Sequence, residues 1–195
     1  MNTSVKILNR IEKQNYQNGN SEKLKSCTNK GLRGIFNKEI SEIYHSEKLL
    51  SHVIPKIIRD SSSEELLDSL FVYLERTNKH ILRLTKIQAS IKEKTNVNNC
   101  VAVKGLIEEM ESTMEDYEMG VLRDTCIVLS LQKIIHYNIA TYGTLFSFAK
   151  TLGENDAANL LFHNLNDETK TDEMLTNIAE STINFLSMVE MFRNK

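Results

Sequence analysis

Apolar residues recur at three- and four-residue intervals through most of this chain, the spacing that lines one face of an α-helix. The pattern predicts four long helices and a short one. The first runs from about Leu32 to Arg59, with Phe36, Ile40, Ile43, Glu47, Leu50, Ile54 and Ile57 on one face. Pro55 lacks a backbone N–H and should kink its last turns. Asp60–Ser63 reads as a turn, and Ser62 or Ser63 can cap the next helix ahead of Glu64 and Glu65. That second helix spans about Glu64 to Lys94, aligning Leu66, Leu70, Tyr73, Thr77, His80, Leu84, Ile87 and Ile91. A polar loop, Thr95–Asn99, leads into a short helix over Val101–Tyr117, whose acidic residues read as a solvated face. The helix over Val121–Thr151 carries Val128, Leu131, Ile135, Asn138, Tyr142 and Leu145 in line, but it is apolar on more than one side. That breadth fits a helix with neighbours all round, or one at a subunit interface. Leu152-Gly153 is a C-cap signal, and a last helix then runs from about Glu154 to Phe192.

With its one longer connection between the second and third long helices, this order describes a four-helix bundle with a short helix in the crossover. Residues 31–195 form the bundle domain in this reading, and residues 1–30, rich in Asn, Lys, Ser and Gln, form a mobile arm with a weak helix at Val5–Lys13.

The polar interruptions of the stripes change the picture most. In the last helix the face is Leu161, Leu165, Glu168, Asp172, Leu175 and Ala179, so two carboxylates stand where the period calls for core. Burying an unpaired ionised carboxylate costs several kcal/mol or raises its pKa, so a cation, a metal or a proton must compensate. Hairpin registers place Glu47 level with Arg76, Glu168 near Asn138 and Asp172 near Ile135, all about the middle of the bundle. Metal sites of such folds are built there.

Composition narrows the remaining classes. A single Pro and 7 Gly are too few for an all-β chain, and a formal charge of −2 argues against general nucleic-acid or membrane-surface binding. No apolar run approaches a membrane span, and MNTSVKILNR lacks a secretory h-region, so a cytoplasmic protein is expected. Cys27, Cys100 and Cys126 are odd in number and widely spaced, which suits reduced thiols. No phosphate loop, nucleophile elbow or zinc-protease motif is present.

Several strings carry a family resemblance: EISEIYHSEKLL in the first helix, CVAVKGLIEEM in the short one, QKIIHYNIATYGTL in the third long helix and LNDETKTDEML in the last. Together, over about residues 32–186, they resemble the YciE/YciF group of ferritin-like proteins, which is associated with bacterial stress responses; HYNIATYGTL is the most specific part. The resemblance implies a ferritin-like fold with a two-metal carboxylate centre, and Glu47, Glu168 and Asp172 match its acids. Elsewhere the chain departs. Arg76, Thr77 and His80 stand where the family has Glu-Thr-x-x-Gln, and Ile135 and Asn138 stand where it has two glutamates.

Two readings of the centre follow. In the first, the bundle needs no cofactor and Arg76 neutralises Glu47 and one of Glu168 or Asp172. In the second, Glu47, His80, Glu168, Asp172 and His136 hold one iron, manganese or zinc ion. Arg76 favours the first, because a fixed cation repels a second metal ion. The expectation is a non-catalytic homodimer with a structural or protective stress role and a degenerate metal centre. The alternative is an iron or manganese oxidoreductase that consumes peroxide or oxidises iron.

Overall fold

The computed structural model describes residues 31–91 and 100–193. The proposed arm with its Val5–Lys13 helix, Cys27 and the loop Thr95–Asn99 lie outside the described residues. The chain divides into two units, residues 1–35 and 36–195. Of the first, the described part is the opening of helix α1; the second contains the bundle.

Six α-helices are present among the described residues: α1 (Leu32–Asp60), α2 (Glu64–Ser90), α3 (Val101–Glu115), α4 (Val121–Thr151), α5 (Asn155–Ile178) and α6 (Asn184–Arg193). The long helices form where the spacing put them, and Phe36, Ile40, Ile43, Glu47, Leu50, Ile54 and Ile57 of α1 are all buried. Helix α1 runs through Pro55 to Asp60. Ser63 caps α2, its hydroxyl accepting from the Leu66 N–H at 3.4 Å. At the end of α4, Gly153 takes φ +75°. The Glu154 N–H reaches the Ala149 carbonyl at 2.9 Å and the Gly153 N–H reaches that of Lys150 at 3.2 Å. This is the Schellman closure that the Leu152-Gly153 pair signals.

The last helix is not continuous. A π-helical turn, Ala179–Ile183, separates α5 from α6. After Leu175 and Ile178, an unbroken α-helix would point Thr182 inward, one residue short of Ile183. The extra residue in the π turn absorbs that offset. Ile183 is buried, and the Thr182 hydroxyl turns outward to donate to Glu65 at 2.9 Å.

Helix α3 lies against α4 and buries Val103, Ile107, Met110 and Met114. It covers the second apolar side of α4, so the breadth of that helix is used within the chain. Its acidic residues point to solvent, as expected. The core itself falls into two clusters. One gathers Leu50–Ile57 of α1, Leu66–Tyr73 of α2, the buried face of α3, Ile127–Ile135 of α4 and Leu175–Ile183. The other gathers Phe36–Ile43, Leu84 and Ile87, Tyr142–Ala149 and Ala157–Leu161. Between them lies a layer of buried polar side chains.

The α1–α2 turn is fixed from a distance. Asp124, buried in the first turn of α4, accepts from the Ser62 N–H (3.0 Å), the Ser62 hydroxyl (2.6 Å) and the Ser63 N–H (2.9 Å). Asp124→Ala should therefore strand two backbone donors and lower stability by about 2–4 kcal/mol, read from urea unfolding. A change below about 0.5 kcal/mol, the usual range for a surface substitution, would show that the turn holds without it. Among the described residues no helix is long and apolar enough to cross a membrane.

Candidate functional site

Each long helix contributes to the polar layer at the point where its apolar stripe is interrupted. Helix α1 brings Glu47, α2 brings Thr77 and His80, α4 brings Asn138 and Tyr142, and α5 brings Asn164 and Glu168; all are fully buried. Glu47 Oε1 accepts from the Tyr142 hydroxyl at 2.6 Å and faces His80 Nδ1 at 3.2 Å. The same nitrogen lies 3.7 Å from Glu168 Oε1, which accepts from Asn138 Nδ2 at 2.9 Å. The other ring nitrogen of His80 lies 3.6 Å from Asp167 Oδ2, beyond a hydrogen bond but within ion-pair range. Arg83, one turn beyond His80 on α2, donates to that Asp167 oxygen at 2.6 Å and to Asn164 Oδ1 at 3.0 Å. The Tyr142 ring stands edge-on to the His80 ring, with centroids 5.7 Å apart.

The result is a line of acids and bases from the buried pair outward: Glu47 and Glu168, then His80, then Asp167, then Arg83. Burial works against a charged His80, but the Glu47 charge, Asp167 and Glu168 outweigh it and push the imidazole up to about 10. Glu168 is raised above the ordinary carboxylate range, chiefly by burial and then by Glu47, with His80 opposing. Asp167 is held well below that range by the approach of His80, against burial and with further help from Arg83. Burial, reinforced by the two carboxylates, lifts Tyr73 and Tyr142 well above 10, so both remain protonated phenols at neutral pH. The second oxygens of Glu47 and Glu168, Nε2 of His80, Oδ1 of Asn138, Nδ2 of Asn164 and the hydroxyls of Tyr73 and Thr77 have no hydrogen-bond partner in the layer.

Of the residues singled out in the sequence, the structure brings Glu47, His80 and Glu168 together, with one ligand atom from each lying within 4.8 Å of the others. Asn138 meets Glu168 as the register predicts. Asp172 and His136 do not join them. Asp172, one turn beyond Glu168 and near the surface, contacts His136 Nε2 at 3.0 Å and Gln132 Nε2 at 3.4 Å, and the His136 side chain is 66% exposed.

Arg76 is not the counter-charge of the centre. Its guanidinium donates to Thr171 Oγ1 at 2.7 Å and to the Asp167 carbonyl at 3.5 Å, on α5 outside the Glu47–Glu168 pair. The hairpin register is one turn longer than the sequence suggests. His80 thus comes level with Glu47, and Arg76 points toward α5. Asp167, Arg83 and Tyr142's bond to Glu47 went unseen in the sequence. The signals were the second acid beside Glu168, a base three residues after His80, and a core tyrosine whose hydroxyl needs a partner.

A two-metal carboxylate site takes about six ligands, mostly Glu with two His. The layer offers three. Helix α4 supplies buried Ile135 and Asn138 at the positions where the family pattern has acids, and the Asn138 amide is spent as a donor to Glu168. The residues present do not fit a two-metal centre.

Residues 31–186 match the domain of unknown function DUF892. Protein YciF of Escherichia coli (strain K12) is 36% identical over 156 residues, covering 80% of this chain and 94% of that protein. The crystal structure of this E. coli stress protein aligns with a TM-score of 0.75 at 35% identity, covering 80% of this chain and 98% of the other. YcfI of Rhodopseudomonas palustris, described as a candidate structural protein, aligns at 0.73 with 32% identity, covering 76% and 95%. These likenesses bear out the ferritin-like helical bundle and the resemblance read from the sequence. The chain belongs to the DUF892 family and is a relative of YciF.

Proposed function

We propose that this protein is a non-catalytic bundle of the YciF type, with a structural or protective role in stress physiology and a degenerate metal centre. One observation carries the reading: the central layer holds three ligand side chains, Glu47, His80 and Glu168, where two-metal chemistry takes about six. A fold of this kind hosts many functions, so the stress role is supported by kinship with the E. coli stress protein YciF. A cytoplasmic setting belongs to the same reading, and the free thiols of Cys100 and Cys126 suit it.

Elemental analysis of tag-free protein purified without chelators tests it. The expected result is substoichiometric iron, manganese and zinc, with no peroxide consumption or iron oxidation. Stoichiometric metal together with either activity would replace this reading with the oxidoreductase. The convergence of three ligand atoms within 4.8 Å favours a second, narrower reading, in which Glu47, His80 and Glu168 hold a single ion. That reading predicts one equivalent of metal, lost in Glu168→Gln.

Self-association is also part of the proposal. Leu129 of α4 and Phe185, Leu186 and Met188 of α6 expose apolar surface outside the core. Sedimentation at roughly tens of micromolar, where modest interfaces associate, should give a dimer, and a clean monomer there would remove this part.

A further inference from the structure

We propose that the central layer is hydrated: ordered internal water on its α2 side joins the hydroxyls of Tyr73 and Thr77 to the second carboxylate oxygens of Glu47 and Glu168. The inference rests on the metal-free reading above and names what stands beside the two acids instead of an ion.

A helical threonine commonly donates its hydroxyl to the carbonyl one turn back. Thr85, Thr141, Thr151 and Thr171 do so at 2.8–3.0 Å. Thr77 does not: it is fully buried, and its hydroxyl has no partner among the described residues. Tyr73 lies one turn before it on α2, on the same buried face, and its hydroxyl is likewise without a partner there. Buried phenols ordinarily find an acceptor, as Tyr142 does in Glu47 at 2.6 Å. Two donors on one helix face are thus unspent.

The acceptors are unspent in the same layer. Oε1 of each glutamate is engaged, by the Tyr142 hydroxyl and by the Asn138 amide, but Oε2 of Glu47 and Oε2 of Glu168 have no donor. Tyr73 is close enough to feel both carboxylates: burial is the main cause that pushes its phenol up, and the Glu168 and Glu47 charges add to it. Yet no hydrogen bond joins them, so the hydroxyl and the oxygens are neighbours across a gap wider than one bond. A water molecule spans such a gap, because it donates to the oxygens and accepts from the hydroxyls. A cation would serve the carboxylate oxygens alone and leave both hydroxyl protons unspent. A dry layer would bear the desolvation of all four groups. The bridge does not depend on which ring nitrogen of His80 carries a proton.

The test pairs a high-resolution crystal structure of the full chain, tag-free and purified without chelators, with thermal melts of wild type, Tyr73→Phe and Thr77→Val. The crystal should show water within hydrogen-bond distance of the Tyr73 and Thr77 hydroxyls and of Glu47 Oε2 and Glu168 Oε2. Each variant deletes one donor with little change of shape and strands the water it held, so each should melt roughly 2–12 °C lower. A hydroxyl with no partner at all would give the opposite sign, since its removal relieves a buried unpaired group. Either variant melting at or above wild type, or a crystal with no water between these groups, overturns the hydrated layer and leaves the metal-free reading in place. Should a variant fail to fold, the wild-type crystal decides. A metal ion between Glu47 and Glu168, identified by its anomalous scattering, overturns the metal-free reading itself.

Discussion

Raising the pH from 6.5 to 10 should cost the bundle on the order of 3–5 kcal/mol, far more than surface titrations give. In the unfolded chain His80 titrates near 6.5, and in the fold it is pushed up to about 10. A raised pKa means that the folded state binds the proton more tightly. Its contribution is complete below pH 6.5, declines above it and is gone above about pH 10. Glu168 is also raised, so its share likewise falls as pH rises above the ordinary carboxylate range. Asp167 is lowered and works the other way: its contribution is present above that range and is lost in acid. Stability should therefore peak in mildly acidic solution and fall on both sides. Urea unfolding across pH 6–10 reads the alkaline limb. His80→Gln, or His80→Gln/Glu168→Gln if the single variant does not fold, should show a much flatter limb over the same range. An equally steep limb in the variant would assign the loss to other groups.

The second large effect is a gain of metal dependence. Combining His80→Gln with Ile135→Glu and Asn138→Glu removes the imidazole and restores acids on α4 at positions that are fully buried in this fold. Without an ion, such a cluster of like charges should leave the bundle barely stable. With Fe²⁺ or Mn²⁺ at about a hundred times its dissociation constant, linkage adds about 2.7 kcal/mol, seen as a metal-dependent melting temperature. A triple variant that melts independently of metal would mean that the layer cannot be reopened as a ligand set by these changes.

Much of this fold was legible in the sequence because burial follows the 3.6-residue period closely. The stripes of α1, α2 and α4 pointed inward as read, and the polar residues interrupting them pointed to the layer that splits the core. The π turn was hidden because a one-residue offset between Ile178 and Ile183 is too small to disturb a periodicity read over many turns. The counter-charge was assigned one turn away from its true place for a similar reason. Hairpin register is set by the turn, and the α1–α2 turn is held by Asp124, more than sixty residues downstream. Periodicity carries no information about such a contact. His80 was named as a candidate ligand, yet nothing in its spacing revealed that both of its nitrogens would meet carboxylates. Its outer partner Asp167 lies on the less buried side of α5, off the stripe that drew attention to Glu168.

The central claim, a buried layer of Glu47, His80 and Glu168 that holds no metal, is tested most directly by ¹⁵N NMR of histidine-labelled wild-type protein at neutral pH. The account predicts that both His80 ring nitrogens are protonated and that their shifts do not move when Zn²⁺ or Mn²⁺ is added. A neutral ring whose Nδ1 resonance shifts or broadens with stoichiometric metal would contradict it.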